Sequence, residues 1–158
     1  MNHAYGELFE LAENYCRWIE LSGETHPDWL QEIARLLPRL QTSIQSLNNL
    51  LADAEPSLFP DLDARFELYT HLREHLGDRD AYRLEFDEAG EDDIMTGSLA
   101  DDLTDIYCEL KHGLRFAEAS PERVLKEWRS GFRYHWKQHL LDAQEHLSRL
   151  AAQGRLLS

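Results

Sequence analysis

Cysteine is scarce in this sequence. The 158 residues include only Cys16 and Cys108, and neither has a second cysteine at the spacing of a zinc site. A small secreted domain would carry paired cysteines, so we expect both thiols to be reduced and packed in a core. The sequence therefore argues against a disulfide framework and a zinc knuckle.

Long apolar runs and a basic N-terminus are also missing. The first ten residues carry Glu7 and Glu10 but no Lys or Arg, unlike a signal peptide. No apolar run approaches the roughly 20 residues that a membrane-spanning helix needs. We expect a cytoplasmic protein that does not enter a membrane.

Basic residues are outnumbered. Lys and Arg total 16 against 30 Asp and Glu, which gives a formal net charge of −14. Binding to a phosphate backbone depends on an excess of Lys and Arg that displaces counterions, so we do not expect nucleic-acid binding. Acidic residues dominate 78–105, whereas basic residues dominate 121–155. These two segments are expected to attract each other, or one of them attracts a partner.

Signatures of common active sites are absent as well. The sequence has no Gly-rich phosphate loop and no G-x-S-x-G nucleophile elbow. His71, Glu74 and His75 match the H-x-x-E-H pattern of inverted zinc peptidases, but the chain is too short for the third ligand and the substrate cleft of such enzymes. We interpret this match as an exposed helix face.

Apolar residues recur at spacings of three and four through most of the chain, which is typical of amphipathic helices. Pro38 lies inside the second of these stretches and predicts a kink rather than a break, because the apolar seam continues on both sides. Short links favour antiparallel neighbours, so we predict an all-α fold, an up-and-down bundle of about five helices in a single domain, 1–158. The predicted helices cover about 4–21, 27–51, 62–76, 98–117 and 120–152.

Residues at the predicted helix starts support these boundaries. Pro27 suits the first turn of the second helix. Ser98, followed three residues later by Asp101, resembles a capping box with Asp in place of Glu. Ser120 and Pro121 are an N-cap and first-turn pair for the last helix.

Residues 78–97 interrupt the helical pattern. Tyr82, Leu84 and Phe86 alternate with polar neighbours, as in a short extended piece, and 89–93 is typical of an acidic loop. We predict one irregular acidic segment here.

Polar residues follow one edge of each of the last two predicted helices. Asp102, Asp105 and Glu109 share one edge, and His135 and His139 share the other. If the two helices are antiparallel neighbours, imidazoles face carboxylates across the interface. Because such ligands on facing helices bind divalent metals in bundles, these five residues are the candidate metal ligands.

Two other interpretations of these edges remain open. Asp102-x-x-Asp105 resembles half of the carboxylate pattern with which all-α nucleotide pyrophosphatases hold Mg²⁺, but the preceding helix lacks the matching half. The favoured interpretation is a network of His–carboxylate hydrogen bonds, extended along the last helix by Asp142 and His146, that fixes how the two helices dock.

Two blocks of sequence carry a family resemblance. The first contains Ser98-Leu99-Ala100-Asp101-Asp102-Leu103-Thr104-Asp105-Ile106-Tyr107, Glu109-Leu110-Lys111 and Gly113-Leu114. The second contains Trp128, Phe132, His135-Trp136, His139-Leu140, Asp142-Ala143 and Leu147. Together they resemble a bacterial family catalogued as domain of unknown function 5063. The resemblance implies an α-helical fold and a bacterial cytoplasmic setting, and it brings no activity, cofactor or catalytic residue.

The sequence leaves the activity unknown, and we keep two hypotheses. The first is a helical protein that acts by protein–protein interaction, with a protein partner or with a second copy of itself. The alternative is a metal-dependent enzyme, a phosphohydrolase or a nucleotide pyrophosphatase-like protein, that uses a divalent metal at the interhelical carboxylate/His site.

Overall fold

The computed structural model describes residues 3–22, 25–47, 61–84 and 95–157. Within these ranges the chain forms a helical bundle with one small β-hairpin, which confirms the predicted fold class. The elements are α1 (His3–Glu20), α2 (Trp29–Gln45), α3 (Leu62–Leu76), a 3₁₀ turn (Gly77–Arg79), β1 (Ala81–Leu84), β2 (Met95–Ser98), α4 (Leu99–Leu114), α5 (Pro121–Gly131), a π-helical turn (Phe132–Trp136) and α6 (Lys137–Ala152).

The core is one cluster of buried side chains, with α4 packed against α1, α3, α5 and α6. Its largest fully buried members are Trp29, Trp128, Trp136 and Tyr15. Burial of these side chains removes large apolar areas from water and is the main stabilising term of the bundle. In the described part of the chain, no helix is long and apolar enough to cross a bilayer.

The second predicted helix needs correction at its start. Helix α2 begins at Trp29, whereas Pro27 lies in the preceding turn, which is closed by a hydrogen bond from the Trp29 amide to the His26 carbonyl (3.1 Å). The helix continues through Pro38 without a break, because the apolar residues on both sides remain buried in the core. It ends at Gln45, before the predicted end at Leu51, and the last four residues of the predicted helix, 48–51, lie outside the described residues.

The last predicted helix is one continuous helical rod, 121–152, made of α5, the π-helical turn and α6. Pro121 occupies its first position as predicted, but the side chain of Ser120 makes no capping hydrogen bond. The π-helical turn was not predicted, since one wide turn hardly alters the apolar spacing. Helix α4 ends at Leu114 rather than at the predicted Ala117.

The predicted irregular segment at 78–97 contains regular structure at both ends. Strands β1 and β2 pair antiparallel, with Tyr82 opposite Gly97. A Cβ atom at position 97 would overlap the Tyr82 ring, so glycine lets this ring lie across the hairpin. Residues 85–94, which include Phe86 and the predicted acidic loop, lie outside the described residues.

A buried carboxylate attaches the hairpin to the start of α4. Asp80, which is 5% exposed, accepts hydrogen bonds from the amide of Ala100 (2.7 Å) and the hydroxyl of Ser98 (2.9 Å). Ser98 is the N-cap as predicted and accepts from the Asp101 amide (3.2 Å). A carboxylate at a helix N-terminus also interacts favourably with the helix dipole.

The predicted apolar face of α3 is wrong at its first two positions. Leu72 and Leu76 are buried, but Leu62 is 73% exposed and Phe66 is 65% exposed. The first half of the helix contacts the bundle through Arg65, which binds carboxylates of α4. An ion-pair contact therefore replaces the expected apolar one.

Candidate functional site

Three of the five predicted metal ligands meet between α4 and α6. His139 Nδ1 lies 2.7 Å from Asp102 Oδ1, and His139 Nε2 lies 2.9 Å from Asp105 Oδ2. One imidazole thus bridges two carboxylates that are one helical turn apart. The expected arrangement, imidazole facing carboxylate between antiparallel helices, is present at this level of the bundle.

Glu109 and His135 form a separate and looser pair. His135 Nδ1 lies 3.6 Å from Glu109 Oε1, and the pair sits further along the interface. The Glu109 side chain packs against Gly131, where a Cβ atom would come within 2.8 Å of Oε2. Burial raises the pKa of Glu109, and the neighbouring His135 only partly opposes this effect. The five predicted residues therefore form two groups.

Arg65 is one of the residues of this site that the sequence analysis missed. Its Nε donates to Asp105 Oδ1 (2.9 Å), and its Nη2 donates to Asp101 Oδ1 (3.0 Å) and also contacts Asp105. These contacts join α3 to α4 across roughly forty positions of sequence. An arginine between apolar residues of an amphipathic helix was the only signal, and it did not indicate a partner.

Tyr82 of the hairpin completes the surroundings of Asp102. Its hydroxyl donates to Asp102 Oδ2, and its ring stacks on His146 with 4.8 Å between centroids. His146 Nε2 donates to the Arg79 carbonyl (2.6 Å), so this histidine fixes the base of the hairpin. Asp142 accepts from Gln138 (2.8 Å) on its own helix. Asp142 and His146, at the far end of the predicted polar edge of the last helix, therefore bond to Gln138 and to the Arg79 carbonyl.

The electrostatics of the group follow from these contacts. Hydrogen bonds to Asp102 and Asp105 raise the pKa of His139 to about 10, so the imidazole is protonated at neutral pH and donates from both nitrogens. Burial raises the pKa of Asp105, but hydrogen bonds from His139 and Arg65 outweigh burial and lower it. The Asp102 side chain is only 5% exposed, and here burial prevails and raises the pKa.

Two kinds of chemistry are open to this arrangement. As it stands, it is a charge-assisted hydrogen-bond network that fixes three helices and the hairpin relative to one another. In addition, ligand atoms of Asp101, Asp102 and His139 lie within 4.8 Å of one another, close enough to share a cation. Asp101 was not among the predicted ligands, and Glu109 and His135 are not in this group.

Several charged residues outside this site also have partners. Asp78 and Arg155 pair across the acidic and basic segments at 3.4 Å. Arg123 instead pairs with Glu127 on its own helix (3.1 Å). In the H-x-x-E-H match, His75 packs edge-on against Trp29, at 5.1 Å between centroids.

One solved structure has a closely similar fold. It is the crystal structure of protein BF1032 from Bacteroides fragilis, with a TM-score of 0.76 and 20% sequence identity over 94% of this chain and 92% of that one. At this identity the likeness shows the fold alone. A comparison with functionally curated proteins found no match.

A family model described as Domain of unknown function (DUF5063) matches residues 2–153. The match covers nearly the whole chain, including α4 and the rod at 121–152 that carry the polar network. It also includes the N-terminal helices, where the sequence carried no recognisable signature. The chain belongs to the DUF5063 family.

Proposed function

We propose that this protein acts by binding a partner protein through the exposed face of the first half of α3. The observation that carries the proposal is the exposure of Leu62 and Phe66, 73% and 65%, on successive turns of one helix. Large apolar side chains that stay exposed side by side are typical of interaction surfaces. We call Leu62 and Phe66 the α3 ridge.

Neighbouring side chains fix the helix that carries the α3 ridge. Arg65, beside the ridge, binds Asp101 and Asp105 of α4, and Asp61 caps the helix by accepting from the Ala64 amide (3.0 Å). A ridge that is already ordered loses little conformational freedom when a partner binds. The ion-pair contact thus supports recognition, because it attaches α3 to α4 while Leu62 and Phe66 stay exposed. Apolar packing of α3 at this place would have buried both side chains.

Acidic side chains surround the α3 ridge. Asp61, Asp63 and Glu67 are exposed on the same part of α3. The whole chain carries a formal charge of −14. Charge complementarity therefore favours a partner with an apolar face flanked by Lys or Arg, such as a basic amphipathic helix.

A second copy of this chain is the less favoured partner. Two α3 ridges facing each other would bring their acidic residues together, and like charges across an interface are costly. Self-association would also weaken at low salt, whereas binding of a basic helix would strengthen. Salt dependence therefore separates these two partners.

The test uses a defined probe, a labelled helical peptide of about 18 residues with Leu on one face and Lys on the other. We expect saturable binding by fluorescence anisotropy, and no saturable binding of a scrambled isomer. Changing Leu62→Ser and Phe66→Ser together should weaken binding at least about tenfold. The control variant, Tyr134→Ser with Leu157→Ser, removes two similarly exposed large side chains elsewhere and should leave the affinity unchanged.

Equal affinity for the wild type and the α3 double variant would contradict the proposal. A dimer in sedimentation equilibrium that disappears in the α3 double variant would replace the basic partner with a second copy. Circular dichroism of each variant checks that the fold is retained.

A further inference from the structure

We propose that Asp101, Asp102 and His139 bind one divalent transition-metal ion, with Asp105 as the carboxylate that orients His139. The three ligand residues come from the first turn of α4 and from α6, and their ligand atoms lie within 4.8 Å of one another. This site lies between the first turn of α4 and α6, at a different place from the α3 ridge, and Arg65 joins the two through its ion pair with Asp101.

The two best-placed ligand atoms already point at each other. His139 Nδ1 and Asp102 Oδ1 are 2.7 Å apart, with a proton between them. Metal–nitrogen and metal–oxygen bonds of about 2.1 Å place the two atoms about 3.0 Å apart at a right angle and about 3.4 Å apart at a tetrahedral angle. A metal ion can therefore take the place of this proton with little movement of either helix.

The remaining atoms of Asp102 and His139 are already held in position. Tyr82 donates to Asp102 Oδ2, which leaves Oδ1 directed at the ion. Asp105 accepts from His139 Nε2 at 2.9 Å, which fixes the ring and leaves Nδ1 as the ligand. A carboxylate bound to the far nitrogen of a histidine is the usual support for a metal-binding imidazole.

Charge balance also favours a divalent ion. The carboxylates of Asp101, Asp102 and Asp105 are opposed by the single guanidinium of Arg65 and by the proton on His139. With His139 neutral, a divalent cation brings this group to zero formal charge. Desolvation makes an uncompensated charge costly at Asp102, whose side chain is 5% exposed.

The ligand types select the class of ion. One imidazole and two carboxylates suit Mn²⁺, Fe²⁺, Co²⁺ or Zn²⁺, whereas Mg²⁺ and Ca²⁺ prefer oxygen ligands alone. Three protein ligands leave coordination positions for water, as in sites where an ion binds a further ligand. We therefore expect Co²⁺ and Zn²⁺ to bind much more tightly than Mg²⁺.

The experiment titrates the protein, stripped with chelator, with Co²⁺, and follows the visible absorption of the bound ion and the heat of binding. We expect one ion per chain. Asp101→Asn should weaken binding at least about tenfold, by loss of a ligand. Asp63→Asn is the matched control, because Asp63 occupies the first turn of α3 as Asp101 does that of α4, and it should bind as the wild type does.

A second measurement identifies the ligand atom without a mutation. In the long-range proton–nitrogen spectrum of the wild type, addition of Zn²⁺ should shift the Nδ1 resonance of His139 and leave Nε2 protonated. Absence of Co²⁺ and Zn²⁺ binding at millimolar concentrations would overturn the proposal. Equal weakening by Asp63→Asn, or an unchanged His139 spectrum in the presence of bound ion, would place the ion elsewhere and overturn it as well.

Discussion

The two cysteines show how burial at single residues controls reactivity. Cys16 is 1% exposed and Cys108 is 4% exposed. Burial raises the pKa of Cys108 to about 12 and that of Cys16 further still, so neither forms a thiolate at neutral pH. Since the thiolate is the reactive species, we expect both thiols to resist a disulfide reagent at pH near 8 until the protein unfolds. Reaction of either cysteine in the native protein at the rate seen in urea would contradict this prediction.

Gly97 is a second single position with a large expected effect, because one added side-chain atom there should lower the stability of the fold. A Cβ atom there would overlap the ring of Tyr82, which is fixed by its hydrogen bond to Asp102 and its stacking on His146. We expect Gly97→Ala to lower the free energy of unfolding by about 1–3 kcal/mol, measured by urea denaturation. The control is Gly6→Ala in α1, where a Cβ atom meets nothing within 4 Å. It should stabilise the protein by about 0.5–1 kcal/mol, because alanine favours a helix.

At the scale of the elements, the attachment of α3 depends on one side chain. Arg65 is 29% exposed and forms the ion pairs that join the first half of α3 to α4. We expect Arg65→Ala to lower the free energy of unfolding by about 1–2 kcal/mol and to raise amide exchange selectively in the first two turns of α3. Arg73→Ala, an exposed arginine on the same helix, is the control and should change neither. Uniform exchange along α3 in the Arg65 variant would contradict the assignment.

The elements also show what the sequence could and could not predict. Apolar spacing predicted α1, α3, α4 and the rod at 121–152, because each buries one face along most of its length. The same spacing was misleading at Leu62 and Phe66, since the contact made there by Arg65 depends on a helix distant in sequence. Asp102, Asp105 and His139 were predicted because their spacing places them on facing helix edges. Asp80 and Tyr82 were missed because the hairpin brings them to α4 through tertiary structure alone.

For the molecule as a whole, Glu109 couples stability to pH. Burial raises the pKa of this carboxyl, so its contribution to stability is complete below its unfolded pKa and is lost as pH rises through the folded one. We expect Glu109→Gln to match the wild type near pH 4 and to exceed its free energy of unfolding at pH 8. Urea denaturation across this pH range checks the prediction. Glu145→Gln, at an exposed position, should show no such trend, and a Glu109 variant less stable at pH 8 would contradict it.

Across the whole molecule, a fixed interior supports the surface that we propose for recognition. The network around His139 fixes α3, α4, α6 and the hairpin, and the α3 ridge faces outward on this support. Neither the family nor the structure from Bacteroides fragilis names an activity. The proposed function is therefore tested by whether a basic amphipathic helix binds at the α3 ridge.

The most direct measurement is a map of amide chemical-shift changes in ¹⁵N-labelled protein titrated with the Leu–Lys helical peptide. We expect shifts concentrated at residues 61–69, with saturation that follows the anisotropy curve and is lost in the Leu62→Ser, Phe66→Ser variant. Shifts spread over the acidic surface in proportion to local charge, or concentrated on another face of the bundle, would contradict the α3 ridge as the binding surface.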